Sequence, residues 1–128
     1  MVAHRDFGTR SVLTEAGAAA DGVLIVTEYM PAVMDASRQA WARTYEQRYG
    51  MEPSIIAAQY YDALLLVAEA IKRTAADRVR IKTGLELLER FSGVMADYTF
   101  DTKHNGVHRF LVARITGGQP MLEAILAE

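Results

Sequence analysis

The 128-residue chain contains no cysteine, so disulfides, thiolate metal sites and a cysteine nucleophile are excluded, while its redox compartment stays open. It has no excess of charge of either sign. Fourteen basic residues stand against 16 acidic ones, mixed along the chain, for a formal charge of −2. No basic stripe results, which removes the electrostatic footprint of a nucleic-acid binder. No apolar run approaches the ~20 residues of a membrane-spanning helix. The opening Met1-Val2-Ala3-His4-Arg5-Asp6 is polar and has no signal-peptide pattern. There is no internal repeat and no low-complexity tract.

What is present suits one globular domain. Apolar residues make up 51% and charged residues 23%, a balance that argues against disorder. A chain of this length buries roughly two-thirds of its unfolded surface. Residues 9–20 are expected to form a short helix capped by Thr9 or Ser11, with His4 in a loose tail. The continuous β-branched run Gly22–Thr27 predicts a strand covered on both faces, as in a parallel sheet, ended by Tyr29-Met30-Pro31. It has no βαβ partner elsewhere in the chain.

A helix follows over 34–49, with Asp35 or Ser37 as cap, Gly50 as left-handed terminator and a packed face of Trp41, Tyr45 and Tyr49. A second helix over 58–74 is expected to bury Tyr61, Leu64, Leu65, Ala68 and Ile71. A third over 79–90 carries Ile81, Leu85 and Leu88, with Gly84 costing ~1 kcal/mol relative to alanine. From Gly93 the period becomes two. Tyr98–Phe100 reads as a strand and 101–106 as a turn. Residues 108–116 alternate, and Gly117-Gly118 signals a hairpin returning through Met121–Ile125. The class is α/β.

Reactive constellations are sparse. His104 and His108 flank the turn signal Asn105-Gly106, so they cannot face one another as a helical zinc pair, and no metal site is expected. Ser11, Ser37, Ser54 and Ser92 lack a nucleophile elbow. Gly117-Gly118 has no phosphate-loop context, and the six methionines read as core filler. On local chemistry alone, Asp21 is a turn or helix-end carboxylate and Tyr29 packs against the Trp41 helix. Neither an enzyme nor a cofactor is indicated.

The order of Ala20-Asp21-Gly22 before a strand, Tyr60-Tyr61-Asp62-Ala63 opening a helix, then Phe91-Ser92-Gly93-Val94 and Thr99-Phe100-Asp101 resembles a known family. It is similar to the C-terminal part of periplasmic solute-binding proteins of the leucine/isoleucine/valine ABC-transporter type. The resemblance implies a partial type I periplasmic-binding-protein fold, an incomplete two-lobe sheet with flanking helices and a C-terminal β-meander.

Residues 22–52 and 97–128 would be second-lobe elements, 57–92 a first-lobe segment, and 53–56 and 93–97 hinges. Asp21 stands at the family's acidic ligand position, usually glutamate, and would pair with a ligand ammonium beside Gly22. Tyr29 and Tyr60 would supply walls. The Gly-x-x-Gly-x-x-x-Phe-Asp motif departs here, with Ala96 at the second glycine.

The implied function is capture of an amino acid or small carboxylate for an ABC permease, periplasmic in the intact protein, from which this chain would be a cut or truncated piece. The first-lobe serine and threonine that grip the ligand carboxylate are missing, so weak binding or none is expected. Alternatives are a cytoplasmic ligand-sensing regulator on the same fold and a segment-exchanged oligomerisation module. A homo-oligomer is expected in either case, because open sheet edges and apolar faces seek partners.

Overall fold

In the computed structural model, which describes residues 1–100, 106–107 and 109–126, the chain already forms a strand at Val2–Ala3. The elements run β1 (Val2–Ala3), α1 (Arg10–Ala16), β2 (Leu24–Thr27), α2 (Ala36–Tyr49), α3 (Ile55–Arg73), α4 (Arg78–Glu86), β3 (Phe91–Ser92), β4 (Asp97–Phe100), β5 (Gly106–Val107), β6 (Phe110–Thr116) and β7 (Gln119–Leu126). Single 3₁₀ turns lie at Arg5–Gly8, Gly17–Ala20 and Pro31–Val33. The chain divides into two compact units, Met1–Met34 with Arg109–Glu128, and Asp35–His108.

The first unit is built on a four-stranded sheet in the order β1-β2-β6-β7. β2 runs parallel to β1 and antiparallel to β6. The expectation of a β2 without a parallel partner is thus corrected, and so is the loose tail: β1 supplies that partner, and His4 caps the first 3₁₀ turn. β2 is also not covered on both faces. Ile25 and Thr27 are buried while Val26 between them is exposed, so the strand has one core face and one open face.

Leu13, Ala20, Val23, Ile25, Met30, Leu111, Ala113 and Ile115 form the core of this unit. The alternation expected along β6 is observed, with Leu111, Ala113 and Ile115 pointing inward. Gly117 and Gly118 have φ of 58° and 73°. Two consecutive left-handed residues are what a tight two-residue hairpin needs, so the sheet continues antiparallel into β7.

In the second unit, Asp35 caps α2 by accepting hydrogen bonds from the backbone N–H groups of Ser37 and Arg38, and Gly50 ends it at φ 72°. Trp41, Tyr45 and Tyr49 stack along one face, with centroids 5.6 and 4.6 Å apart, and Trp41 reaches Tyr61 of α3 at 5.1 Å. The packed face fades toward the C-terminus, where Tyr49 is exposed.

Ser54 accepts from the Ala57 N–H, so α3 starts at Ile55, three residues earlier than the sequence pattern suggests. The expected core stripe of α3 is corrected. Ile55, Ala58, Asp62 and Ala70 are buried, whereas Tyr61, Leu64 and Leu65 are exposed. At 100° per residue the true inner face is rotated by roughly 140° from the expected one.

α4 ends at Glu86 rather than Arg90 and packs on α3 through Gly84. A Cβ at Gly84 would lie 2.8 Å from the Ala70 carbonyl oxygen, so this glycine permits the close approach of the two helices. β3, β4 and β5 complete a small antiparallel sheet. Of the turn expected over 101–106, Gly106 lies in β5 and the rest lies outside the described residues, as do His104 and His108.

Candidate functional site

The sequence-predicted ligand residues fall at three places. Asp21 closes the 3₁₀ turn that follows α1, with extended backbone (φ −60°, ψ 135°) and an exposed side chain. Its Oδ1 accepts from the Gly118 N–H at 3.5 Å, which ties it to the β6–β7 hairpin. Gly22 follows at φ 82°, a left-handed conformation that a side chain would strain, and a Cβ there would meet nothing within 4 Å. Its N–H donates to the Ile115 carbonyl at 2.9 Å, and Ile115 returns a bond to Val23 at 2.9 Å.

Arg114 completes this corner. One guanidinium nitrogen donates to the Gly22 carbonyl at 3.4 Å, while the others hold Glu123 of β7. That pairing lowers the Glu123 pKa and raises that of Arg114, each through the shared hydrogen bond first and the opposite charge second. With Glu123 engaged by Arg114, Asp21 is the carboxylate of this corner that remains open to solvent beside free backbone space. Such an arrangement can meet a small cation.

Tyr29 stands past the far end of β2, separated from Asp21 by the length of that strand. It is buried, its N–H donating to Thr27 Oγ1 at 3.2 Å. Nearby, Arg5 Nη1 donates to both oxygens of Glu28 at 2.9 and 3.1 Å, a partly buried pair that the sequence reading missed. Tyr60 belongs to the second unit, on the outer face of α3, and is 74% exposed. Within the first unit the structure therefore brings Asp21 and Gly22 together and sets Tyr29 at the other end of β2.

A second polar centre lies wholly inside the second unit. Asp62 is 1% exposed and is one of only two buried polar or charged residues described. Its carboxylate accepts from the Val94 N–H at 2.7 Å, the Met95 N–H at 2.9 Å and the Tyr98 hydroxyl at 3.0 Å. Gly93 makes room for it, since a Cβ there would lie 2.2 Å from Asp62 Oδ2.

Arg38 grips the same turn from the other side. Its Nε donates to the Gly93 carbonyl at 2.9 Å, and its terminal nitrogens pair with Asp35 at 2.7 Å and Asp97 at 2.9 Å. The Ser92 hydroxyl and the neighbouring Arg38 and Arg90 hold the Asp97 carboxyl below the usual range, and the bonds from Ser37 and Arg38 bring Asp35 down to about 2. The sequence signal for this centre was available: Asp62 is the single charge between Ile55 and Ala68.

Among the described residues no group of three or more His, Asp or Glu side chains could hold a metal ion, and no helix is long and apolar enough to cross a membrane.

Comparison with known proteins gives a consistent picture. The family model described as "Periplasmic binding protein" matches residues 4–119. A leucine-binding protein from Thermotoga maritima superposes with a TM-score of 0.86 at 23% identity, over 98% of this chain and 37% of that one. The branched-chain amino acid transporter substrate-binding protein from Streptococcus pneumoniae, solved with isoleucine, gives 0.82 at 28% identity over 97% and 35%. A solute-binding protein from R. palustris, solved with benzoate, gives 0.75 at 24% identity over 91% and 34%. The chain thus spans about a third of the length of these solved relatives. Among curated proteins none matches.

Proposed function

The chain belongs to the periplasmic binding protein family, and we propose that it forms part of an ABC-importer solute receptor for an amino acid or related small carboxylate, with Asp21 contacting the ammonium group of an amino-acid ligand. The observation that carries this reading is Asp21, an exposed carboxylate set beside the left-handed Gly22 at the entry to β2. Glycine lets a ligand approach the backbone, and the carboxylate supplies a charge-assisted contact. In the same reading, residues 53–56 and 93–97 are the crossings between lobes, and the intact protein works in the periplasm with a permease.

A site drawn from a third of the family length contributes only part of the contacts, so affinity for the isolated chain is expected in the millimolar range, equivalent to ~4 kcal/mol. The test is an amide NMR titration with isoleucine, leucine and benzoate. Isoleucine and leucine should shift Asp21, Gly22 and Gly118, benzoate should not, and Asp21→Asn should abolish the response. Equal shifts from benzoate, or shifts that survive Asp21→Asn, would remove Asp21 from the ammonium role. No response to any of the three would sink the reading for this chain.

A further inference from the structure

Glu123 stands at an irregularity of the first unit's sheet. Along the β6–β7 ladder Ala113 faces Leu122 and Val112 faces Ala124, so Glu123 is the extra residue of a β-bulge, with no residue opposite it. A bulge takes one side chain out of the cross-strand pattern and re-aims it, and bulges recur next to active sites. Here the bulged carboxylate accepts from Nε and Nη2 of Arg114, which leaves Nη1 for the Gly22 carbonyl at 3.4 Å.

Arg114 is thus one cation between two carboxylates. The carbonyl that its Nη1 touches belongs to the residue after Asp21, so a turn of the long arginine side chain brings the guanidinium to the Asp21 carboxylate. Paired with Asp21, Arg114 would occupy the position of a ligand cation. Paired with Glu123, it leaves Asp21 held by the Gly118 N–H alone at 3.5 Å and its charge uncompensated.

We propose that Glu123 is a positioning residue of this corner: by holding Arg114 it keeps the Asp21 carboxylate open to a cationic ligand. The proposal rests on the reading of Asp21 as the ammonium contact and adds to it a residue that touches no ligand. The two partners are 41% and 42% exposed, so the pair has the modest strength of a surface ion pair. Its effect lies in which carboxylate Arg114 occupies.

The test has a ligand-free arm and a ligand arm. In the first, the Arg114 Nε–H NMR signal is followed in the wild type, Asp21→Asn, Glu123→Gln and the double variant. In the Glu123→Gln background Asp21→Asn should move this signal several times further than it does with Glu123 present, because Arg114 has gone over to Asp21. Equal displacement in the two backgrounds, or none in either, overturns the proposal.

In the second arm leucine is titrated against the Gly22 and Gly118 amides. Glu123→Gln should raise the leucine Kd roughly fivefold, the scale of one surface ion pair. Adding Arg114→Met should return it to within about twofold of wild type. Unchanged binding by Glu123→Gln overturns the proposal. So does a double variant as weak as Glu123→Gln alone, because the loss would then come from the sheet and not from Arg114. Binding that ignores Asp21→Asn, or a wild type that ignores leucine, removes the ammonium reading instead, and the Arg114 signal alone then decides whether Glu123 holds Arg114 off Asp21.

Discussion

Replacing Asp62 by alanine tests the buried centre of the second unit most directly. Three donors lose their acceptor: the Met95 N–H, which is buried, and the Val94 N–H and Tyr98 hydroxyl, which are half-buried. An unsatisfied buried donor costs ~1–3 kcal/mol, and the two partly open donors recover some hydration. Relief from burying a carboxylate offsets part of the loss, so a net destabilisation of about 2–4 kcal/mol is expected.

Gly93→Ala should be destabilising for a different reason, because its Cβ would sit 2.2 Å from the same carboxylate, and overpacking of this kind costs ~1–3 kcal/mol. Truncating Asp62 vacates the space that this Cβ needs. The two changes should therefore be strongly non-additive, with a coupling of about 1–2 kcal/mol. Urea unfolding followed by Trp41, the only tryptophan and one that contacts Tyr61 in this unit, measures all four corners of the cycle. Additivity within about 0.5 kcal/mol would refute the idea that Gly93 exists to admit Asp62.

Gly84→Ala should lower stability despite a gain of ~1 kcal/mol in helix propensity, because the new methyl would meet the Ala70 backbone at 2.8 and 3.1 Å; a raised melting temperature would contradict this. Gly118→Val should cost ~1–3 kcal/mol, since a β-branched residue is strained at φ 73°, whereas Gly118→Asn should be nearly neutral; equal losses would show that the turn conformation is not the cause. Asp35 and Asp97 have depressed folded-state pKa values, so the unfolded chain binds more protons in acid. The stability they contribute is present above about pH 4 and is lost as pH falls through their folded values, about 2 for Asp35. Asp97→Asn should flatten the dependence of the urea midpoint between pH 2 and 4, and an unchanged slope would remove Asp97 from the account.

The parts of the fold that were legible in the sequence are those decided by neighbours in the chain. The Asp35 cap, the Gly50 terminator and the Gly117-Gly118 hairpin each need a particular residue at a particular backbone angle, and β6 runs at a period of two straight into that hairpin. The inward face of α3 was not legible, because a helix that is apolar nearly all round has no polar side to set its phase. β2 was misjudged for a related reason: its second neighbour is Val2–Ala3, a strand too short to produce a pattern. Asp21 was singled out by the order of motifs along the chain. Its local surroundings in the sequence are those of a turn carboxylate, and its bond from the Gly118 N–H joins residues 97 positions apart, which no local pattern reveals.

Asp62, the single charge between Ile55 and Ala68 of α3, also bears on uniqueness rather than on strength. A cylinder of alanine, leucine, isoleucine and tyrosine could turn about its own axis and bury a different set of side chains at little cost in transfer free energy. Asp62 forbids that freedom, since only one angular setting presents its carboxylate to the Val94 and Met95 amides. A buried polar contact of this kind acts as an index mark. An isosteric apolar replacement such as Asp62→Leu would then leave a helix just as hydrophobic but with several rotational settings of similar energy, and the identity of its outward face would no longer be defined.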